Sequence, residues 1–167
     1  MYRTYEHKAQ YYETDQMGIV HHSNYIRWFE EARVDLMDQA GLGYKKMEEA
    51  GIISPVLSVE AQYKSMVHFE DVVVIEASIE KYNGIKMTVS YVIKDKSTGA
   101  VRCEGKSRHC FLDRDGRPIY LKKAEPAFHK LFEEICGGTI QPDDFGYNDL
   151  TETKPKNKDT ILKLEEK

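Results

Sequence analysis

Apolar residues recur at helical spacing over one long stretch, at Tyr25, Phe29, Ala32, Leu36 and Ala40, with Trp28 and Met37 widening the stripe. Ser23 or Asn24 is the expected N-cap, and Gly41 and Gly43 mark the expected stop. Ahead of this helix, residues 2–12 are rich in Tyr and Thr and predict a first strand. Behind it, Leu42 to Ala50 predicts a short second helix that ends at Gly51. After Pro55 the period changes to two. Leu57, Val59, Ala61, Tyr63, Val67 and Phe69 alternate with Ser58, Glu60, Gln62, Lys64 and His68, which predicts a strand over 56–69 with one buried face.

Val72 to Lys81 predicts the next strand, and Tyr82-Asn83-Gly84 the turn after it. A three-residue loop with Gly84 left-handed pairs Ile79 with Met87, Ala77 with Val89 and Ile75 with Tyr91, and sets Glu80 opposite Lys86. Lys96 to Gly99 is the following turn. The strand beyond it alternates Val101, Cys103, Gly105, Ser107, His109 and Phe111 against Arg102, Glu104, Lys106 and Arg108. Asp113 to Gly116 turns the chain again. Pro126 then opens a helix that buries Phe128, Leu131, Phe132 and Ile135 and stops at Gly137-Gly138. One long helix followed by four strands on tight connections is an α+β pattern, an antiparallel sheet covered on one face by a helix.

Composition changes this picture in two places. From residue 137 onward apolar residues become scarce, so 1–136 reads as one domain and 137–167 as a polar C-terminal tail expected to be disordered. The 167 residues carry a net charge of −4 with 41% hydrophobic content, an ordinary globular balance that argues against general nucleic-acid binding. The N-terminal residues hold no apolar leader and the longest aliphatic run is Val72 to Ile75, so neither secretion nor membrane insertion is expected and the cytoplasm is the default. Three cysteines without a C-x-x-C spacing argue against a disulfide framework or a zinc site.

Candidate chemistry crowds in front of the long helix. Tyr11, Asp15, His21, His22, Ser23 and Asn24 lie in or beside a loop that opens onto the helix N-terminus, where backbone N–H groups are already aimed outward. Read without context, Asp15-x-x-Gly18 is a turn and the two histidines carry no assignment. Asp15, His21 and His22 lack a second cluster to complete a metal site, so no metal is expected.

The run Y-x-x-T-D-x-x-G-I-V-x-H-x-N-Y-x-x-W-x-E-x-A-R from Tyr11 to Arg33 resembles the signature of the hotdog-fold acyl-CoA thioesterases, in the 4-hydroxybenzoyl-CoA thioesterase-like and Tol–Pal-associated branch. The resemblance implies a hotdog fold, a sheet wrapped around the long helix, and a homodimer or homotetramer joined edge to edge. It implies Asp15 as the catalytic carboxylate, attacking the thioester carbonyl or activating water. His22 is implied to orient water or the carboxylate, its backbone N–H polarising the carbonyl, a donor worth about 2.7–4 kcal/mol in the transition state. Tyr11 matches a site tyrosine in the same relatives, and as a residue it fits equally a core aromatic at a strand end. His21 is expected to be a bystander, since successive side chains diverge. Gly18 is implied to permit the turn and the close approach of substrate.

Lys64, in Y-K-S-M-V-H-F-E-D, falls where the resemblance implies the mouth of the CoA site, although Met66 or Val67 stands where relatives carry proline. Lys64, Arg102, Lys106 and Arg108 are candidates for CoA phosphates, and equally the ordinary charges of a solvated strand face. The implied substrate is acyl-CoA and no separate cofactor is expected. The same fold also hosts acyl-thioester dehydratases or hydratases and non-catalytic acyl-thioester binders. The order D-x-x-G-I-V-x-H-x-N-Y and the intact Asp15 favour the hydrolase.

Overall fold

The computed structural model describes residues 2–136; the polar tail and the Gly137-Gly138 helix stop lie outside the described residues. The elements are β1 (Tyr5–Lys8), a 3-10 turn (Tyr11–Glu13), α1 (His22–Gln39), α2 (Tyr44–Glu49), β2 (Val56–Tyr63), β3 (Val72–Tyr82), β4 (Lys86–Asp95), β5 (Val101–Cys110), α3 (Leu121–Ala124) and α4 (Pro126–Ile135). The five strands form one antiparallel sheet in the order β1-β3-β4-β5-β2.

Helix α1 lies across the inner face of that sheet and touches strands on both sides of its centre. Its buried stripe holds the expected Tyr25, Trp28, Phe29, Ala32, Leu36 and Met37, and also Asn24 and Arg33. On β5 the helix depends on Gly105 for room. A Cβ there would sit 2.4 Å from the Phe29 ring and 2.7 Å from the Glu60 carbonyl oxygen. Phe29 occupies the space that glycine leaves, stacked on Tyr91 at 4.4 Å.

Three expectations are corrected. The first strand stops at Lys8, and Tyr11–Glu13 turns as a 3-10 helix because the Glu13 carboxylate folds back onto the Gln10 N–H at 2.8 Å. The strand predicted over 56–69 ends at Tyr63, and its apolar face is only partly covered: Val59, Tyr63 and Phe69 are exposed, Leu57 and Ala61 half-buried and Val67 buried. Alternation identifies the two faces of a strand; β2 is an edge strand, and within one chain little covers it.

The third correction is the hairpin. Tyr82 pairs with Met87, Ile79 with Val89, Ala77 with Tyr91 and Ile75 with Ile93, two residues away from the expected register, with a bulge at Glu80. The bulge lets Tyr82 turn inward, where it packs on Phe111 and Phe132 and its hydroxyl meets His129 Nδ1 at 2.8 Å. Glu80 pairs with Lys106 at 2.8 Å rather than with Lys86. The turn itself is closed by Asn83 Oδ1, which accepts from the Ile85 and Lys86 N–H groups, with Gly84 at φ +85° as expected. The second helix, the turns at Gly99 and Gly116 and the helix starting at Pro126 lie where the sequence puts them.

The Phe29–Gly105 contact generates a stability prediction. Gly105→Ala should cost about 1–3 kcal/mol, because the added methyl meets a packed ring and a backbone oxygen rather than a flexible chain end. Calorimetric unfolding of the variant checks it, and an unchanged Tm would mean that α1 can lift from the sheet freely.

Candidate active site

The loop between the 3-10 turn and α1 is built as a miniature hairpin. Thr14 bridges Val20, the Asp15 N–H donates to Ile19 O at 2.8 Å, and the Gly18 N–H donates to Asp15 O at 2.9 Å. Gly18 adopts φ +76° with no atom within 4 Å of where a Cβ would stand, so the turn needs its left-handed backbone and leaves space above it. The half-buried Asp15 carboxylate accepts the Met17 N–H at 2.8 Å through Oδ1. The Val67–His68 segment backs the loop, through the Val20 N–H to Val67 O bond and the Ile19–His68 bridge.

The helix begins two or three residues earlier than expected, and its N-cap is His21 rather than Ser23 or Asn24. His21 Nδ1 accepts the Ser23 N–H at 3.3 Å and lies 2.8 Å from the Ser23 hydroxyl, while His21 O accepts the Asn24 N–H. Asn24 is free to leave the cap because its amide donates instead to Glu13 O, 2.8 Å away and buried. His21 thus caps the helix, and its ring does not diverge from that of His22: the two centroids are 4.1 Å apart. His22, the first residue of α1, is exposed, and among the described residues its N–H has no acceptor. The Tyr63 hydroxyl donates to His22 O at 3.0 Å, which ties the end of β2 to the helix N-terminus.

Tyr11 is 77% exposed and meets the Phe69 ring edge-on at 5.6 Å, so within one chain it stands at the rim of the loop rather than over Asp15. Lys64 follows Tyr63, but its ammonium turns to the outer face of the sheet, 3.2 Å from Glu104 and 3.1 Å from Gln62. Arg102 pairs with Asp95 at 2.8 Å and Lys106 with Glu80, while Arg108 is exposed. Asp15 and Gly18 thus share one turn, His22 opens the helix two residues beyond the Val20 end of that turn, Tyr11 stands at the rim, and the cations sit on another face.

The sequence reading missed Glu13. It is 4% exposed, its Oε1 accepts from Trp28 Nε1 at 2.8 Å, and its Oε2 lies 2.8 Å from His7 Nε2 and from the Gln10 N–H. Burial alone would raise its pKa, but the bonds from Gln10, His7 and Trp28 outweigh that and hold it below the ordinary carboxylate value. The charged form therefore adds stability at neutral pH, and that contribution is lost as pH falls from about 4.5 through the lowered folded value. The one available signal was Trp28, whose buried indole N–H needs an acceptor.

A second buried polar chain runs under α1. Arg33 donates to the Tyr44 and Tyr91 hydroxyls, Tyr91 meets Ser107 Oγ at 2.7 Å, and Ser107 meets His109 Nε2 at 2.7 Å. Burial, and then the nearby Arg33 charge, push His109 down to about 3, so it is neutral at physiological pH. Among the described residues no cluster of His, Cys, Asp and Glu is arranged to hold a metal ion, and no helix is long and apolar enough to cross a membrane.

A profile of the thioesterase-like superfamily matches residues 10–145 of this chain. A Bacillus subtilis (strain 168) protein named "Putative acyl-CoA thioesterase YneP" is 37% identical over 130 residues, covering 77% of this chain and 94% of the relative. A 1,4-dihydroxy-2-naphthoyl-CoA hydrolase of Prochlorococcus marinus is 27% identical over 117 residues, covering 66% of this chain and 76% of its own. Among solved structures, the DHNA-CoA thioesterase of Staphylococcus aureus superposes with a TM-score of 0.75 at 32% identity, covering 79% of this chain and 89% of that one. The α+β architecture is the hotdog fold of these thioesterases.

Two of the three cysteines are confined by burial. Cys103 and Cys110 are buried, and desolvation raises each thiol to about 11. At pH 8 about one thiol in a thousand would be ionised. Ellman's reagent should therefore leave Cys103 and Cys110 of the folded protein unmodified and react with both after denaturation. Rapid native labelling of either would show that the sheet opens at β5.

Proposed function

The chain belongs to the thioesterase-like superfamily, and on that premise we propose that it hydrolyses acyl-CoA to the free acid and CoA with Asp15 as the reacting carboxylate. The observation that carries this reading is the pairing of Asp15, across the Thr14–Val20 bridge, with an open helix N-terminus whose first N–H, that of His22, has no acceptor among the described residues. A thioester carbonyl needs both parts: a donor where the oxyanion develops, and a carboxylate that attacks the carbon or activates water. The open space at Gly18 leaves room for the thioester beside the turn that carries Asp15. In this reading His22 supplies the N–H donor, and its exposed imidazole, tilted against that of His21, orients water. Tyr11 and Lys64 flank the entry. The names of the relatives support a CoA thioester as the substrate class, and those naming dihydroxynaphthoyl-CoA favour an aromatic acyl group among the candidates to assay first.

The active unit in this proposal is a homodimer formed at the β2 edge. The opposite edge, β1, is four residues long and guarded by the Lys96–Glu6 and Lys8–Glu70 pairs. The β2 edge instead exposes Val56, Val59 and Tyr63, and the loops beside it expose Met17, Met66 and Phe69. Met17, Tyr63 and Phe69 lie at or beside the Asp15 loop, through the Met17–Asp15, Tyr63–His22 and Phe69–Tyr11 contacts, so a second copy seated on this edge would reach the site. Light scattering should give a mass of at least twice 19.4 kDa, and Val59→Lys should both split the assembly and cut turnover. A fully active monomer would overturn the dimeric site.

Chemistry is tested at Asp15. Asp15→Asn keeps the acceptor for the Met17 N–H but removes the charge, so kcat should fall about 10²–10⁴-fold with KM little changed. His22→Ala should lose less, because the backbone donor survives. Single turnover in ¹⁸O-water probes the route: label in the Asp15 carboxylate marks an anhydride opened at the Asp15 carbon, whereas label in the product acid alone fits direct attack by water or an anhydride opened at the acyl carbon. An Asp15→Asn variant that keeps more than about a tenth of wild-type kcat, far short of a lost general base, would sink the assignment.

A further inference from the structure

We propose that Glu13 is the positioning residue of this site, setting the distance between Asp15 and the N-terminus of α1. The proposal rests on the reading of Asp15 as the reacting carboxylate. Glu13 is bonded to both sides of the loop at once. Through its side chain it takes Trp28 Nε1 from α1, the Gln10 N–H from the 3-10 turn, and a 2.8 Å contact with His7 of β1. Through its carbonyl it takes the His21 N–H at 2.9 Å and the Asn24 amide at 2.8 Å. Asp15 is two residues downstream and His22 one residue beyond His21. A shift of Glu13 therefore moves the carboxylate and the carbonyl-polarising N–H relative to each other.

Burial makes this arrangement unforgiving. An ionised carboxylate that is 4% exposed is tolerated only when its oxygens are saturated with donors, and here three separate elements supply them. Glutamine is nearly isosteric yet cannot reproduce the set. Its amide nitrogen must face either the Gln10 N–H or the Trp28 N–H, and both are donors; only His7, by changing tautomer, can adapt. His7 is in turn held beside Glu31 at 3.6 Å, and Glu31 accepts the Tyr5 hydroxyl at 3.0 Å, so the clamp is braced from β1 as well. The protein carries a reporter of the clamp's state. Trp28 is its single tryptophan, hydrogen-bonded to Glu13 and ring-packed against His7 at 4.7 Å and Tyr25 at 5.0 Å.

The test compares Glu13→Gln, Trp28→Phe and Asp15→Asn in the full chain, with acyl-CoA kinetics measured well below each variant's Tm and Trp28 emission recorded where the indole remains. Glu13→Gln should lower kcat about 10- to 100-fold, as an ångström-scale misplacement does, while KM stays within about threefold. Its Trp28 emission should move in the same sample. Trp28→Phe removes one donor and should lower kcat by about 3- to 10-fold with the same pattern in KM. It decides the matter if Glu13→Gln does not fold. Shifted emission or a lowered Tm with kcat unchanged would mean that Glu13 is purely structural, and would overturn the proposal. An inactive Asp15→Asn beside a fully active Glu13→Gln overturns the positioning role alone. An active Asp15→Asn overturns the underlying assignment, whatever Glu13→Gln does.

Discussion

The approach of α1 to the sheet at Phe29 and Gly105 is the constraint from which the rest of the architecture follows. With no side chain at position 105, the Phe29 ring can lie against β5 and stack on Tyr91 of β4, which fixes the thickness of the core at its centre. Seated at that depth, the helix delivers Trp28 to Glu13 and Arg33 to Tyr91. Its N-terminus comes down to the level of the Val67–His68 segment, where the Thr14–Val20 loop can bridge to it. A side chain at 105 would lift the helix and loosen each of these contacts together.

Around that centre the molecule treats its two faces differently. The inner face holds aromatics and two buried polar networks, hydrogen-bonded along their length except at His109 Nδ1. The outer face holds charges that neutralise one another in pairs, as Lys94 with Glu76 and Lys106 with Glu80. Such exposed pairs are worth about 0–1 kcal/mol each. The geometry that matters for chemistry is accordingly held from within, by Glu13 and by the cap at His21, rather than by surface charge.

Much of the fold was legible because its signals are local. The period of Tyr25, Phe29, Ala32 and Leu36, the alternation along β5, and the turns at Gly84, Gly99 and Gly116 each depend on a few neighbouring residues. What was not legible depends on distant ones. The hairpin register slips because Tyr82 is claimed by Phe132 and His129 of α4, some fifty residues away, and alternation cannot register that pull. The β2 side chains alternate correctly, yet periodicity cannot say whether anything lies on top of them. In the site, the motif brought out Asp15, Gly18 and His22, whereas Glu13, one residue from the Thr-Asp pair, reads locally as an ordinary solvent-facing acid. Its role depends on an indole fifteen residues on.

The groups under α1 form a single chain. Arg33 can only donate, so the Tyr91 hydroxyl accepts from it and is bonded in turn to Ser107 Oγ, Ser107 meets His109 Nε2, and the imidazole's Nδ1 is left buried without a partner. Such a chain cannot be edited one letter at a time: an apolar residue at Ser107 strands Tyr91 and His109 together, whereas replacing the whole set with apolar side chains strands nothing. In descent from a common ancestor these four positions, spread over a helix and two strands, should be kept or exchanged as one inherited unit.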